Sequence, residues 1–417
     1  MDYDSIVAPR IRRLPPYLFK RIDELKYRLR REGKDVIDFG MGNPTDPSPK
    51  PVVDKLVEVV RNPRNHRYSA SMGIYNLRKE IAKYYKREWD VDLDPATEAV
   101  VTIGSKEGLS HLCLAILGAG DTVIVPTPAY PIHIYAAVIA GASTIGIPME
   151  GEEQLLRRIV ELMTTLSPKP KVLLLNFPNN PTSKTVSLGF FQEIVAIAKR
   201  HGLIVIHDFA YGKTCFDGYR APSFLQVPGA KEVAVEFGTL SKTFSMAGWR
   251  VGYCVGNEAV VKALAKIKGY YDYGIFQPVQ IAAIMALREC QEYETRQAQI
   301  YQERRDTLCE GLTRIGWPVE KPRASMFVWA PIPEPYRALG SMDFAMKLMQ
   351  EAYVAVSPGL GFGEDGDGFV RFALIENKPR TQQAIRQIKK ALFPHAAVEA
   401  AKAKRGRRAE KDHERGE

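Results

Sequence analysis

Val233-Ala-Val-Glu-Phe-Gly-Thr-Leu-Ser-Lys242-Thr-Phe-Ser-Met-Ala-Gly-Trp-Arg250-Val-Gly-Tyr-Cys-Val-Gly256 decides how the chain is read. An apolar-rich run comes first, then small and hydroxyl residues, then a second apolar run over 251–255. The pattern predicts a buried strand, a turn and another buried strand. Lys242 stands in the turn among Thr239, Ser241, Thr243 and Ser245, and Arg250 comes eight residues later. An amine desolvated between buried strands becomes nucleophilic, and hydroxyls beside a guanidinium hold a phosphate dianion. Schiff-base chemistry on pyridoxal phosphate requires both. A solitary lysine in a polar loop is ordinarily just solvated, because buried lysines are rare, so the rest of the chain has to decide.

Four more predicted strands end in chemically loaded loops. Residues 99–103 lead into Gly104-Ser105-Lys106-Glu107-Gly108 and an apolar helix over 109–117. Free amides and the dipole at such a helix start suit a phosphate. Residues 122–125 lead into Pro126-Thr127-Pro128-Ala129-Tyr130-Pro131, where prolines fix the loop and an aromatic can stack on a planar cofactor. Residues 171–175 end in Asn176-Phe-Pro-Asn179-Asn180-Pro181-Thr182, and 202–206 end in His207-Asp208-Phe-Ala-Tyr211. A carboxylate at the end of a buried strand is costly unless a cation pairs with it. A protonated pyridine nitrogen is such a cation, which makes Asp208 the group that keeps the ring an electron sink. In open α/β sheets ligands bind beyond the carboxyl ends of the strands. Ser105, Tyr130, Asn180, Asp208 and Lys242 all lie there, as expected of one pocket assembled from distant sequence.

Two glycine motifs fail. Gly40-Met-Gly42 has no third glycine at position 45, and Gly212-Lys213-Thr214 has His207 where a P-loop needs its first glycine. The first is better read as a turn lying close to a ligand.

Outside the central region, Leu14-Pro15-Pro16-Tyr17 breaks regular structure, and Leu18, Ile22, Leu25 and Leu29 recur at helical spacing within an amphipathic helix over 10–32. A helix is predicted over 257–268 and one long helix over about 277–312. Short segments around Trp317, 326–329 and 355–357 predict a smaller α+β domain. A glycine- and aspartate-rich loop over 359–368 leads into a strand bearing Arg371, which can take a carboxylate bidentately. The expected division is an arm and part of the small domain over 1–45, a large cofactor-binding domain over 46–290, and a small domain over 291–395. Residues 396–417 lack an apolar face and are expected to be a disordered, dispensable tail.

The net charge of +10 raises nucleic acid as a partner. Residues 1–34 hold ten Lys/Arg against five acids, and the tail from Ala396 holds seven against five. The excess thus lies mostly at the ends, and without a recognition module a nucleic-acid partner is not expected. No apolar run approaches the roughly 18 residues of a membrane span, and the first residues lack a secretory pattern. Five scattered cysteines without a Cys-x-x-Cys pair suggest reduced thiols and a cytoplasmic location. No metal site is expected.

Thr-Leu-Ser-Lys242 with Arg250-Val-Gly resembles the lysine signature of class I/II aminotransferases of the fold-type I pyridoxal-phosphate family. Val-Thr-Ile-Gly-Ser-Lys-Glu-Gly-Leu, Met-Ala-Gly-Trp-Arg and Val-Arg-Phe-Ala-Leu-Ile-Glu-Asn resemble the bacterial glutamate–pyruvate (alanine) aminotransferases in particular. The resemblance spans about residues 14–393. It implies an α/β fold, with a mostly parallel seven-stranded sheet in the large domain and a small α+β domain, and a homodimer. It implies pyridoxal 5′-phosphate as cofactor, held covalently by Lys242, which also shuttles the proton. Ser105, Lys106, Thr239, Ser241 and Arg250 would hold the phosphate, with Tyr68 of Tyr68-Ser-Ala-Ser-Met-Gly73 reaching it from the other subunit. Tyr130 would lie against the ring, Asn180 and Tyr211 on its phenolic oxygen, and Gly42, Asn180 and Arg371 would hold the substrate carboxylate.

L-Alanine plus 2-oxoglutarate is the expected substrate pair. Aspartate aminotransferases carry a distal-carboxylate arginine where this chain reads Gly269-Tyr270-Tyr271-Asp272-Tyr273-Gly274-Ile275-Phe276. A carboxylate there loses a charge-assisted pair worth about 1.5–3 kcal/mol. LL-Diaminopimelate, aspartate and methionine transamination are the alternatives on this fold. A pyridoxal-phosphate C–S lyase, or a non-catalytic nucleic-acid-associated protein, are alternatives of other classes.

Overall fold

The computed structural model describes residues 2–16 and 19–393. The tail expected from Ala396 lies outside them. The strands are β1 (Ile37–Asp38), β2 (Ala99–Thr102), β3 (Thr122–Thr127), β4 (Ser143–Pro148), β5 (Val172–Asn176), β6 (Ile204–Asp208), β7 (Ala234–Thr239), β8 (Gly252–Gly256), β9 (Phe327–Pro331), β10 (Val354–Ala355), β11 (Ser357–Pro358) and β12 (Phe369–Ala373). Seven of them form one sheet in the order β2-β8-β7-β6-β5-β3-β4, in which β8 alone is reversed relative to the other six.

Every residue of β5 is buried, as a strand covered on both faces demands, and this is why its sequence is continuously apolar rather than alternating. Neighbouring residues serve opposite cores. Leu173, Leu175 and Val205 pack with Ile81, Phe190 and Phe191 on one face. Leu174 and Ile206 pack with Leu109, Leu112 and Val123 on the other. The carboxylate of Glu236, wholly buried on β7, accepts from Tyr85 Oη at 2.8 Å, Ser223 Oγ at 2.7 Å and the Phe224 amide at 2.8 Å. His207 Nδ1 lies 2.7 Å away and is its cross-strand partner, so a fully satisfied buried acid pins the β6–β7 register.

A second core gathers both chain ends. Antiparallel β11-β12-β9 and the parallel pair β1-β10 pack with Tyr301, Trp317 and Phe344. Ile22, Leu25 and Leu29 enter this core from the helix Phe19–Arg31, which begins later than the spacing predicted, past the prolines. The single helix predicted over about 277–312 is two helices, Gln277–Glu289 and Gln291–Arg314. Cys290, buried between them, leaves helical geometry at φ −112°, ψ 32°. No proline or glycine signals this break. Among the described residues no helix is long and apolar enough to cross a membrane.

Candidate active site

With β8 alone reversed, the carboxyl ends of β2, β3, β5, β6 and β7 share one edge of the sheet. A cleft of about 370 Å³ opens there, closed on its far side by Phe327, Ser357, Phe362 and Arg371 of the second unit.

Lys242 lies in the helical turn Leu240–Thr243 directly after β7. Thr239 caps that turn, accepting from the Ser241 amide at 3.2 Å, and donates to the Val251 carbonyl at 2.9 Å. Lys242 Nζ donates to the Gly42 carbonyl at 2.7 Å. Burial, reinforced by the Arg371 and Arg250 guanidinium groups, lowers its pKa to about 8, with Asp208 opposing. The neutral amine is the reactive form, so its fraction rises as pH climbs to about 8. Capture of pyridoxal 5′-phosphate by apoprotein is therefore expected to speed up about tenfold per pH unit below 8 and level off above it. A stopped-flow absorbance series checks this, and a midpoint near the ordinary lysine value of 10.5 would refute it.

The helix Ser105–Ile116 starts at the same edge with Gly104 as a cap that offers no side-chain acceptor. Its first amides are thus available to an anion. Arg250 leans over this turn, donating from Nη2 to the Ile103 carbonyl at 3.3 Å and from Nη1 to the Ala247 carbonyl at 3.0 Å. Gly104 has φ +76°, and a Cβ there would stand 2.5 Å from Arg250 Nη2. A Cβ on Gly252 would stand 2.5 Å from the Ser105 amide. Glycine at both positions lets helix start, guanidinium and β8 converge. Ser105, Lys106, Thr239, Ser241 and Arg250 all line the cleft at this end. Glu107, in the same first turn, points back to accept from the Ile103 amide at 2.7 Å.

Asp208 ends β6 and is buried. Its Oδ2 lies 2.9 Å from His133 Nε2, and its Oδ1 accepts from the Ala210 amide at 3.3 Å. Tyr130 meets His133 edge-on at 5.8 Å, and Lys106 Nζ stands 5.7 Å from the Tyr130 ring centre. Tyr211 is buried against Phe327, and burial pushes its phenol well above the ordinary range.

Arg371 projects from β12 at the opposite wall. Nη1 donates to Asn180 Oδ1 at 2.6 Å, and Nη2 to the Gly40 carbonyl at 2.9 Å and Ser357 Oγ at 3.2 Å. Its guanidinium lies over the rings of Phe327 (4.1 Å) and Phe362 (4.6 Å). Burial lowers its pKa to about 10, still far above neutrality. Its buried Nε has no hydrogen-bond partner, which fits a site completed by an anion.

Twelve of the thirteen residues singled out from the sequence thus line one cleft: Gly42, Ser105, Lys106, Tyr130, Asn180, Asp208, Tyr211, Thr239, Ser241, Lys242, Arg250 and Arg371. Tyr68 does not. It is 90% exposed and packs edge-on against Tyr273 at 5.5 Å. Sequence reasoning missed His133, whose only signal was its place in the turn of helix after Tyr130. It also missed Asn176, which donates to the Asp208 carbonyl at 2.8 Å and accepts from the Asn180 amide at 2.8 Å. Gly40, in the turn read as lying close to a ligand, gave no sign that its carbonyl meets Arg371, and Ser357 carried no signal. Elsewhere Glu107, His111 and Asp272 place potential metal-ligand atoms within 4.8 Å of one another. The Lys268 ammonium, 3.3 Å from Glu107 and 2.9 Å from Asp272, already supplies the cation there.

The set fits pyridoxal 5′-phosphate: an anion cradle at one end, a carboxylate at the other, and between them an amine of lowered pKa.

Comparison with known proteins agrees. Residues 34–388 match the family model "Aminotransferase class I and II". The chain is 54% identical over 384 residues to the glutamate-pyruvate aminotransferase AlaC of Escherichia coli K12, covering 92% of this chain and 93% of that protein. It is 44% identical to an LL-diaminopimelate aminotransferase of Moorella thermoacetica, covering 92% and 98%. Among solved structures it resembles substrate-bound BacF of Bacillus subtilis, with TM-score 0.86 and 33% identity over 94% of this chain and 98% of that one. An aspartate aminotransferase of Thermotoga maritima aligns with TM-score 0.84 and 29% identity over 92% and 99%.

Proposed function

Because the chain belongs to the class I and II aminotransferases, we propose that it moves the amino group of L-alanine to 2-oxoglutarate, giving pyruvate and L-glutamate. It is a pyridoxal 5′-phosphate-dependent transaminase acting on amino acids and 2-oxo acids. The observation that carries the site reading is the buried, unpartnered Nε of Arg371 in the same cleft as the Lys242 amine. Alanine as donor is supported by the likeness to AlaC and by the missing arginine in residues 269–276, whose Asp272 is tied to Lys268.

The bound cofactor supplies a ring that accepts electrons from the amino acid's α-carbon. The chain's own groups do the rest. Arg371 and Asn180 grip the α-carboxylate near the Gly42 turn. Lys242 Nζ takes the α-proton as a general base and returns it as a general acid. Asp208, held by His133, would pair the ring nitrogen. Tyr130 would lie against the ring face and Tyr211 would donate to the ring oxygen. Ser105, Lys106, Thr239, Ser241 and Arg250 hold the phosphate. The reading includes a homodimer in which Tyr68 serves the partner's cleft, supported by exposed Tyr68, Tyr270, Tyr271, Tyr273 and Phe276. It includes the division at residues 45, 290 and 395, and a cytoplasmic enzyme with free thiols.

A kcat/KM panel over alanine, aspartate, methionine, the aromatic amino acids and LL-diaminopimelate, each with 2-oxoglutarate, tests the substrate. Alanine is expected to lead. Aspartate or diaminopimelate ahead of it by tenfold or more overturns the assignment. Ammonia release without 2-oxoglutarate would reveal a lyase, and salt-dependent DNA binding without turnover a nucleic-acid protein.

A further inference from the structure

Five cationic side chains line the cleft: Lys26, Lys106, Lys242, Arg250 and Arg371. The reading above uses four of them. Lys26 is left over. It belongs to the helix Phe19–Arg31 and borders the cleft with Ile22 and Asp23.

Its ammonium lies 2.9 Å from Asp38 Oδ2 and 2.9 Å from Asp23 Oδ1. These two acids are not equivalent. The Asp38 side chain is 19% exposed, accepts from the Gly40 amide at 2.8 Å, and has Arg30 at 4.0 Å. The Asp23 side chain is 47% exposed and sits one helical turn before Lys26. A hydrogen-bonded path runs from Lys26 to Asp38, through the Gly40 backbone, to Arg371 Nη2. The spare cation and the α-carboxylate arginine therefore share one wall of the cleft, separated by one residue's backbone and one carboxylate.

We propose that Lys26 receives the distal carboxylate of five-carbon dicarboxylates, L-glutamate and 2-oxoglutarate, which displaces Asp23 from it. The proposal rests on the transaminase reading above. A cleft that takes both alanine and glutamate faces a charge problem. A dedicated cation is left unpaired when alanine binds, and its absence leaves the carboxylate unpaired when glutamate binds. Either unpaired charge is costly away from water. Exchanging one carboxylate for another keeps Lys26 paired in both complexes. Asp23, nearly half exposed, returns to water at little cost, while Asp38 stays as the fixed partner.

The test monitors single half-reactions of the holoenzyme by its cofactor absorbance, with glutamate and with alanine, in the parent and in Lys26→Met and Asp23→Asn. The readout is the glutamate-to-alanine ratio of apparent second-order rate constants. It is expected to fall at least tenfold in Lys26→Met and to rise in Asp23→Asn, where the cation is freed. A change of less than tenfold in Lys26→Met overturns the proposal. Both rates would then fall together, because Lys26 only braces Asp38 and Gly40 behind Arg371. A fall in Asp23→Asn overturns it too. A parent that reacts with neither amino acid overturns the transaminase reading itself, which is a different failure from a parent that reacts with both while Lys26→Met keeps its ratio.

Discussion

Lys242→Ala is expected to keep pyridoxal 5′-phosphate in the cleft but to lower kcat roughly a hundred- to ten-thousandfold, the range for removing a positioned general acid–base. The anion cradle of Ser105, Lys106 and Arg250 is independent of the amine, so affinity for the phosphate should survive. Borohydride should fix the cofactor on the Lys242 peptide of the parent, and the variant should carry no such adduct. A label on another lysine, or turnover within tenfold of the parent, removes Lys242 from the mechanism. Stability should move the other way. The folded state lowers this amine's pKa from 10.5 to about 8. Below pH 8 the native protein must hold a disfavoured cation, a penalty that fades as pH rises toward 10.5. The variant should therefore melt no lower than the parent at pH 7, and its advantage should vanish in alkaline buffer. Thermal scans of the cofactor-free proteins at several pH values check the sign.

Asp208→Asn is expected to cost about 100- to 1000-fold in kcat/KM, the scale of losing one group preorganised toward developing charge. The substitution keeps the shape and leaves an amide able to bond His133. What it removes is the carboxylate proposed to pair the ring nitrogen. Cofactor binding should fall much less than turnover, because the cradle is unchanged. The measurement pairs steady-state kinetics with cofactor affinity. Near-normal turnover, or loss of cofactor equal to loss of activity, would show that the carboxylate serves only to seat the ring.

Much of the site was legible before any coordinates. Residues 172–176, Val-Leu-Leu-Leu-Asn, carry their burial on their face, and so do 204–208, Ile-Val-Ile-His-Asp. Runs so apolar, separated by helical segments, belong to a parallel sheet, and a parallel sheet sends its carboxyl ends to one edge. The reading failed where packing rather than pattern decides. Cys290 interrupts a helical periodicity that continues on both sides of it. Tyr68 is a different case: it lies outside its own chain's cleft, and its proposed role is toward a partner's cleft, which a single chain does not contain.

The sequence by itself determined the buried strands and the residue types standing just past their ends, and through its family resemblance the fold class. The strand assignments depend on spacing along the chain: alternation, apolar run length, and the residue types just past the end of a strand. Only the tertiary structure decided who meets whom. His133 reaches Asp208 from 75 residues away, Gly40 reaches Arg371 from 331, and Asn176 joins Asp208 to Asn180 across two strands. The same holds for Lys26, which the sequence counts only among the ten Lys/Arg of residues 1–34 and which folding sets between Asp23 and Asp38 at the cleft. Periodicity fixes which face a residue turns to the core. The charge that a buried or half-buried group must find is chosen among neighbours that only three-dimensional packing brings within about 3 Å, the reach of a hydrogen bond.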